Sequence, residues 1–283
     1  MSCIKAVGSS KCLVPARSFT TLQTRRVSQT ARMCAPMVAQ GTRSKIQELY
    51  ELAKEHLNDG PPSKEAAAAI SKSLGSIPLS ELGFPSQGKE QVKQEAGGIR
   101  GALGRLMRRQ QSNAQASSSG RAPPMTYMHI HEEPAFSLGI FCLPRGNQIP
   151  LHNHPGMSVF SRVLVGSMHV RSFDWAEPSQ NIHTQGGHAR LCIDRTVHEG
   201  DPPAVLYPTS GGNIHEFTPV TDCAVLDLLS PPYSPREGRD CTYFREEGKL
   251  QDAHVQLKPY KPADEFLIGN EPYRGQRIVH RRE

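Results

Sequence analysis

The sequence predicts a mainly β protein, a jelly-roll type barrel carrying a small helical region at its N-terminal side. Three observations predict it. From residue 125 onward, apolar and polar residues alternate with the period of two that a half-buried strand requires, and Gly- and Pro-containing turns punctuate the alternation. Between residues 44 and 74 the apolar period changes to that of a helix. Finally, an apolar content of 37% with 23 prolines and 24 glycines in 283 residues suits one β domain with linker-like flanks better than a chain packed throughout.

Taken in order, residues 1–40 are rich in Ser, Thr, Arg and Ala. They hold six basic side chains (Lys5, Lys11, Arg17, Arg25, Arg26, Arg32) and no acid, the first acid being Glu48. That is the composition of an organelle transit peptide, with ARMCAPMVA as a processing region, and it lacks the continuous apolar core of a secretory signal. Residues 41–88 read as helical. Ser44 and Gln47 are placed as a capping box before the stripe Ile46, Leu49, Tyr50, Ala53 and Leu57, and Gly60-Pro61-Pro62 stops the helix. A second helix from Ser63 to Leu74 aligns Ala67, Ile70 and Leu74, with Gly75 as its cap, and the pair is expected to pack outside the barrel. Residues 89–124 combine a basic stretch (Lys89, Lys93, Arg100, Arg105, Arg108, Arg109) with low-complexity QQSNAQASSSGRAPP, read as a solvated helix and a linker.

The β domain spans residues 125–283. It begins at MTYMHIHE, where strict alternation puts Tyr127, His129 and His131 on one face, and continues through AFSLGIFCL into a loop at Pro144-Arg145-Gly146. His152 and His154 then stand i, i+2 between Pro150 and Pro155, so a strand aims both imidazoles at one point. The run SRVLVGSMHVRSF, with Gly166-Ser167 at its middle, reads as a hairpin returning over that pair. HARLCIDRTVHEG and AVLYP continue the sheet, and PTSGGN turns into His215 at the entrance of another strand. Two histidines hold a divalent first-row ion weakly, and His215 is the expected third ligand. His129 and His131 copy the i, i+2 spacing but lack its framing prolines and glycines, and are set aside as ligands.

The spacing G-x5-H-x-H, about sixty residues, then G-x-x-H is the cupin pattern, which implies a double-stranded β-helix with a metal inside. The glutamate usual a few residues past the second histidine is absent, its positions being Ser158 and Val159. Three neutral imidazoles leave the charge of the ion uncompensated and favour anionic ligands such as a thiolate. The words IPLHNHPGMSVFSRVLVGSMHVRSFDW, LYPTSGGNIHEFT, AVLDLLSPPYS and GRDCTYF resemble the plant cysteine oxidases and the related cysteamine (2-aminoethanethiol) dioxygenase, from about Tyr127 to EPYRGQRI.

The resemblance implies Fe(2+) held by His152, His154 and His215, and addition of both atoms of O2 to the sulfur of an N-terminal cysteine, giving a sulfinic acid in an oxygen-sensing role. It points to Asp227 as a carboxylate for the substrate ammonium and to Tyr233 as a gate or hydrogen-bond partner; the alternative for each is a structural part. Cys241 and Tyr243 match the pair that forms a thioether crosslink in the animal enzyme, and spacing leaves crosslinked and unreacted forms both open. Glu216, where plant relatives often have Cys, is expected to point away from the metal. Arg162 shares nominal strand parity with His154, whereas the resemblance makes it solvent-facing. The expected partners are a protein or peptide with an N-terminal cysteine, or a small thiol, together with O2, acting on a monomer in a chloroplast or mitochondrion, or else in cytoplasm and nucleus. Competing readings are a dioxygenase of cysteamine or free cysteine, a non-catalytic metal-binding cupin, and a zinc or manganese cupin of hydrolase or isomerase type, because three histidines by themselves also suit zinc.

Composition excludes several classes. The net charge of +6 resides in the leader, leaving the remainder neutral, so no basic surface argues for nucleic acid. No run reaches the roughly eighteen apolar residues of a membrane span. Seven irregularly spaced cysteines form neither a disulfide framework nor a zinc ribbon.

Overall fold

The computed structural model describes residues 43–58, 60–84, 124–177, 182–263 and 266–280; the leader and the basic insert lie outside them. Two six-stranded sheets face each other as a cupin-type double-stranded β-helix. One has the order β12-β1-β2-β9-β4-β7 and the other β10-β11-β6-β5-β8-β3. The strands are β1 (Met125–Glu132), β2 (Ser137–Leu143), β3 (Ile149–Asn153), β4 (Ser158–Val165), β5 (Ser167–Trp175), β6 (Gly187–His198), β7 (Ala204–Leu206), β8 (Ile214–Pro219), β9 (Cys223–Ser230), β10 (Phe244–Gln251), β11 (His254–Pro259) and β12 (Ile268–Glu271). Two helices, α1 (Lys45–His56) and α2 (Lys64–Ser76), precede the barrel, and a single turn, α3 (Ile182–Gln185), precedes β6. Among the described residues no helix is long and apolar enough to cross a membrane.

Strand β9 shows how the layers are built. All eight of its residues are buried, because both of its faces are covered. Ala224, Leu226 and Leu228 join a cluster with Ile46, Leu49, Ile70 and Leu74 of the helices, while Cys223 and Val225 join the barrel interior. The helices thus pack outside the barrel, as expected, and the whole predicted stripe of α1 is buried. Each such aliphatic side chain contributes roughly 1.5–3 kcal/mol by leaving water. Ser44 accepts from the backbone N–H of Gln47, and the Gln47 side chain, instead of completing a capping box, donates to the carbonyl of Val279. The IPLSELGF segment forms turns with Ile77, Leu82 and Phe84 buried.

Four details differ from the sequence reading. Helix α2 runs through Gly75 to Ser76, since Gly75 does not take the left-handed φ of a capping glycine. β4 and β5 do not form a hairpin: β4 pairs with β7 and β9, and β5 with β6 and β8, so the chain changes sheets at Gly166. Gly166 has φ +79°, and a Cβ there would sit 2.2 Å from the Asp222 carbonyl oxygen, so this corner accepts only glycine. A bulge between His129 and His131 breaks the alternation of β1; His129 faces the barrel interior, whereas His131 meets Tyr50 of α1 outside. Arg162 is neither inward nor free in solvent. Its guanidinium donates to the carbonyls of Leu74 (2.9 Å) and Ile77 (2.7 Å), capping the end of α2.

Candidate metal centre and substrate cavity

Two antiparallel neighbours in the second sheet, β3 and β8, carry the three histidines to one place. His152 is the ladder partner of His215, and His154 follows at the end of β3. The ring centroids form a nearly equilateral triangle, 4.9 Å from His152 to His154, 4.8 Å from His152 to His215 and 4.7 Å from His154 to His215. All three rings are buried, and each offers one nitrogen within 4.8 Å of the others. Burial, reinforced for His154 and His215 by the neighbouring imidazoles, lowers the pKa of His152 to about 4, that of His154 to about 3, and that of His215 well below its ordinary value. The rings are therefore neutral at physiological pH, the state in which imidazole binds metal.

Backbone carbonyls set the tautomers. His152 Nδ1 lies 2.8 Å from the carbonyl of Pro150, and His154 Nδ1 lies 3.1 Å from that of Asn213. A nitrogen facing a carbonyl must be the N–H donor, which turns the Nε2 lone pair of each ring to the shared centre. His215 stacks on Phe217, two residues along the same strand face, at 4.3 Å. The donor set fits a first-row divalent ion: three neutral nitrogens, no carboxylate, and room on one side.

That room is a cavity of about 480 Å³ bordered by the triad, Asp227, Tyr233, Cys241 and Tyr243, so every sequence-predicted site residue reaches it. Asp227, on β9, accepts a 2.6 Å hydrogen bond from Ser161 Oγ. Its burial raises the pKa from 3.8 to about 7, against the smaller opposing effect of Ser161. Tyr233 donates to the Asn153 carbonyl at 2.9 Å, with its ring 5.6 Å from that of His154. Its hydroxyl proton is thus committed to the peptide between two ligands. Tyr243 bridges to His152 and meets Phe266 edge-on, and Cys241 is buried beside it. Glu216 turns outward to Arg171 and Gln148, as expected.

Three buried residues that hold this arrangement were missed by the sequence reading. Asn213 accepts from the His154 backbone N–H and donates to the carbonyls of Tyr207 and Met157. Asp174 accepts from the N–H groups of Gly212 and Asn213, closing the Gly-Gly turn before His215. Asn153 donates to the His183 carbonyl and accepts from the Thr242 N–H, tying the ligand strand to the Cys241–Tyr243 segment. Asn153 and Asn213 at least stand next to a ligand or a glycine turn in the sequence, whereas Asp174 carries no such signal.

Several known proteins resemble this chain. The PCO_ADO family model matches residues 88–278. Plant cysteine oxidase 1 of Arabidopsis thaliana is 42% identical over 187 residues, 60% of this chain and 63% of that protein. The 2-aminoethanethiol dioxygenases of Mus musculus and Homo sapiens are 34% and 33% identical, over 56% and 55% of this chain and 72% and 69% of theirs. The chain thus spans slightly less than two thirds of the plant relative.

Proposed function

Because the chain belongs to the PCO_ADO family, we propose that it is a non-haem iron thiol dioxygenase acting on the N-terminal cysteine of a peptide or protein. His152, His154 and His215 would hold Fe(2+). When bound, that ion would supply the redox chemistry joining dioxygen to a thiolate, and the cavity beside the three imidazoles would admit both. Thiol and O2 balance without a further reductant: both oxygen atoms end on sulfur, which furnishes all the electrons dioxygen takes up, and the product is a sulfinic acid. A protein modified in this way at its N-terminus would report on oxygen supply.

The chain's own residues bind and orient. Asp227 borders the same cavity as the triad, with Ser161 on Oδ1, leaving Oδ2 for an ammonium. An arriving ammonium stabilises the charged carboxylate and offsets the burial that otherwise favours its protonation. Tyr233 and Asn153 hold the peptide joining the two β3 ligands. Apolar walls from Phe141, Ile149, Phe217 and Leu229 keep the reacting sulfur away from bulk water.

The observation that carries the substrate assignment is the cavity's charge. Among the described residues its lining holds Asp227, Glu132 and Glu271 but neither lysine nor arginine. The carboxylate of free cysteine would find no cation there, whereas a peptide offers a neutral amide at the same position. Arg162, on the strand β4 that follows the ligands, is engaged outside by α2. Cysteamine also lacks a carboxylate, and the relatives named 2-aminoethanethiol dioxygenase keep it as the second reading.

Elemental analysis of the purified chain should find stoichiometric iron, lost in His152→Ala and in His215→Ala. Mass spectrometry should show addition of two oxygen atoms to a Cys-initiated peptide in preference to free cysteine or cysteamine at equal concentration. Stoichiometric zinc with no thiol-dependent oxygen uptake would overturn the dioxygenase. Product mainly on the small thiols would replace the peptide substrate with a metabolic one.

A further inference from the structure

We propose that His131, Glu133 and His280 form a second divalent-cation site, of zinc type, on the outside of the barrel. The bulge that turns His131 away from the catalytic cavity brings it against two donors from elsewhere in the chain. Glu133 Oε1 lies 3.3 Å from His131 Nε2 and 3.6 Å from His280 Nδ1, and all three donor atoms fall within 4.8 Å of one another. Zinc bonds of 2.0–2.1 Å in a tetrahedral arrangement require donor separations of roughly 3.3–3.5 Å. Two of the three edges are close to that spacing already. The third edge, within 4.8 Å, would close by rotation of His280, whose side chain is 60% exposed.

The donors are held as ligands are held. Tyr50, itself buried, donates its hydroxyl to Glu133 Oε1 at 2.9 Å, and its ring meets that of His131 edge-on with centroids 5.0 Å apart. Burial raises the Tyr50 pKa to about 12, so it is a neutral donor that orients the carboxylate. The hydroxyl also lies 3.2 Å from His280 Nδ1; its one proton goes to Glu133, so in the Nε2–H tautomer His280 offers the Nδ1 lone pair to a cation. Burial lowers the pKa of His131, against the opposing pull of Glu133, and so keeps it neutral. Burial also tends to raise the Glu133 pKa, but its hydrogen bonds to Tyr50 and His131 outweigh this and keep it ionised; a bound cation would replace the Nε2 proton that His131 shares with Glu133, the ring moving its proton to Nδ1. His280 is delivered by a two-point clasp on the preceding residue, since Val279 exchanges hydrogen bonds of 2.8 and 3.1 Å with the Gln47 side chain. Two imidazoles and one carboxylate leave one tetrahedral position for water, and the ion would join α1, the β1–β2 connection and the C-terminal tail.

The test uses the full iron-loaded chain beside His280→Ala and Glu133→Gln, titrated with zinc against a chromophoric chelator, with iron measured in the same samples. The wild-type chain should take up one more equivalent of zinc than either variant, and zinc should raise its melting temperature but not theirs. Iron content and thiol oxidation should be equal in all three, which separates this site from the triad. His280 is exposed, so its variant tests the ligand without disturbing the core. Equal zinc uptake and equal thermal response in wild type and both variants would overturn the proposal, whatever metal the triad holds.

Discussion

Replacing Asp227 with asparagine should make the protein more stable and less active at once. The side chain is buried, and burial raises its pKa from 3.8 to about 7. A native pKa raised above the unfolded value means that the folded chain binds the proton more tightly, so stability is full below about pH 4 and declines as pH rises through 7. The shift is about three pH units, and at about 1.4 kcal/mol per unit the charged carboxylate costs the metal-free fold about 4 kcal/mol above pH 7. Asparagine keeps the shape and still accepts from Ser161, but it never ionises. The stability advantage of Asp227→Asn should therefore be near zero at pH 4, grow between pH 5 and 7 and level off beyond. Urea unfolding of the metal-free chain and its variant across that range measures the difference directly. At about 2–4 °C per kcal/mol for a domain of this size, thermal melts at pH 8 should also separate clearly. Turnover on a Cys-initiated peptide should move the other way, falling roughly 10- to 100-fold with iron content intact, the effect of one lost charge-assisted hydrogen bond. A variant that is less stable at pH 8, or a difference that does not change with pH, would refute the buried-charge argument, and unchanged turnover would refute the ammonium-binding role.

Other perturbations reach different parts of the molecule. Gly212→Ala places a Cβ 2.2 Å from Ser172 Oγ at φ +83°; it should cost about 2–4 kcal/mol in urea unfolding and weaken metal retention, because Asn213 is the next residue. Arg162→Met removes both hydrogen bonds to the end of α2 and should cost about 2–3 kcal/mol, exposing residues 43–84 to limited proteolysis first while iron content stays unchanged. A fluorescent fusion of residues 1–45 should enter a plastid or mitochondrion; diffuse cytosolic and nuclear signal would remove the transit-peptide reading, whose residues lie outside those described.

What could be read beforehand was whatever local periodicity controls. His152 and His154 share a strand face, and the α1 stripe repeats every three or four residues, so both were legible. Errors fell where one residue changes the geometry. Gly166 sits amid a run that alternates like a hairpin, and only the absence of space for a Cβ beside Asp222 reveals a corner between sheets. A single extra residue in β1 moved His131 to the other face, and no composition signal marks a bulge. Between His154 and Arg162 the turn at Pro155-Gly156 resets the alternation, so parity counted across it misplaced the guanidinium. Asp174, Asn153 and Asn213 were invisible for a different reason: their partners are backbone groups brought near by the fold, and a polar residue awaiting such partners looks like any loop residue.

The imidazoles of His152 and His154 are oriented by the main-chain oxygens of Pro150 and Asn213. In metalloproteins that use a carboxylate for this task, one substitution can unseat a ligand while the scaffold survives. Here no side-chain exchange deletes the orienting group, because every amino acid carries a carbonyl. Ligand geometry is therefore inherited from strand register, and what can loosen it is a change of backbone path at the Gly211-Gly212 turn or at Pro150. Random mutagenesis screened for folded but metal-poor variants should consequently cluster in those turns, at Asp174, Asn153 and Asn213, which hold the backbone path, and at the ligands themselves, leaving the apolar barrel wall around the triad largely silent.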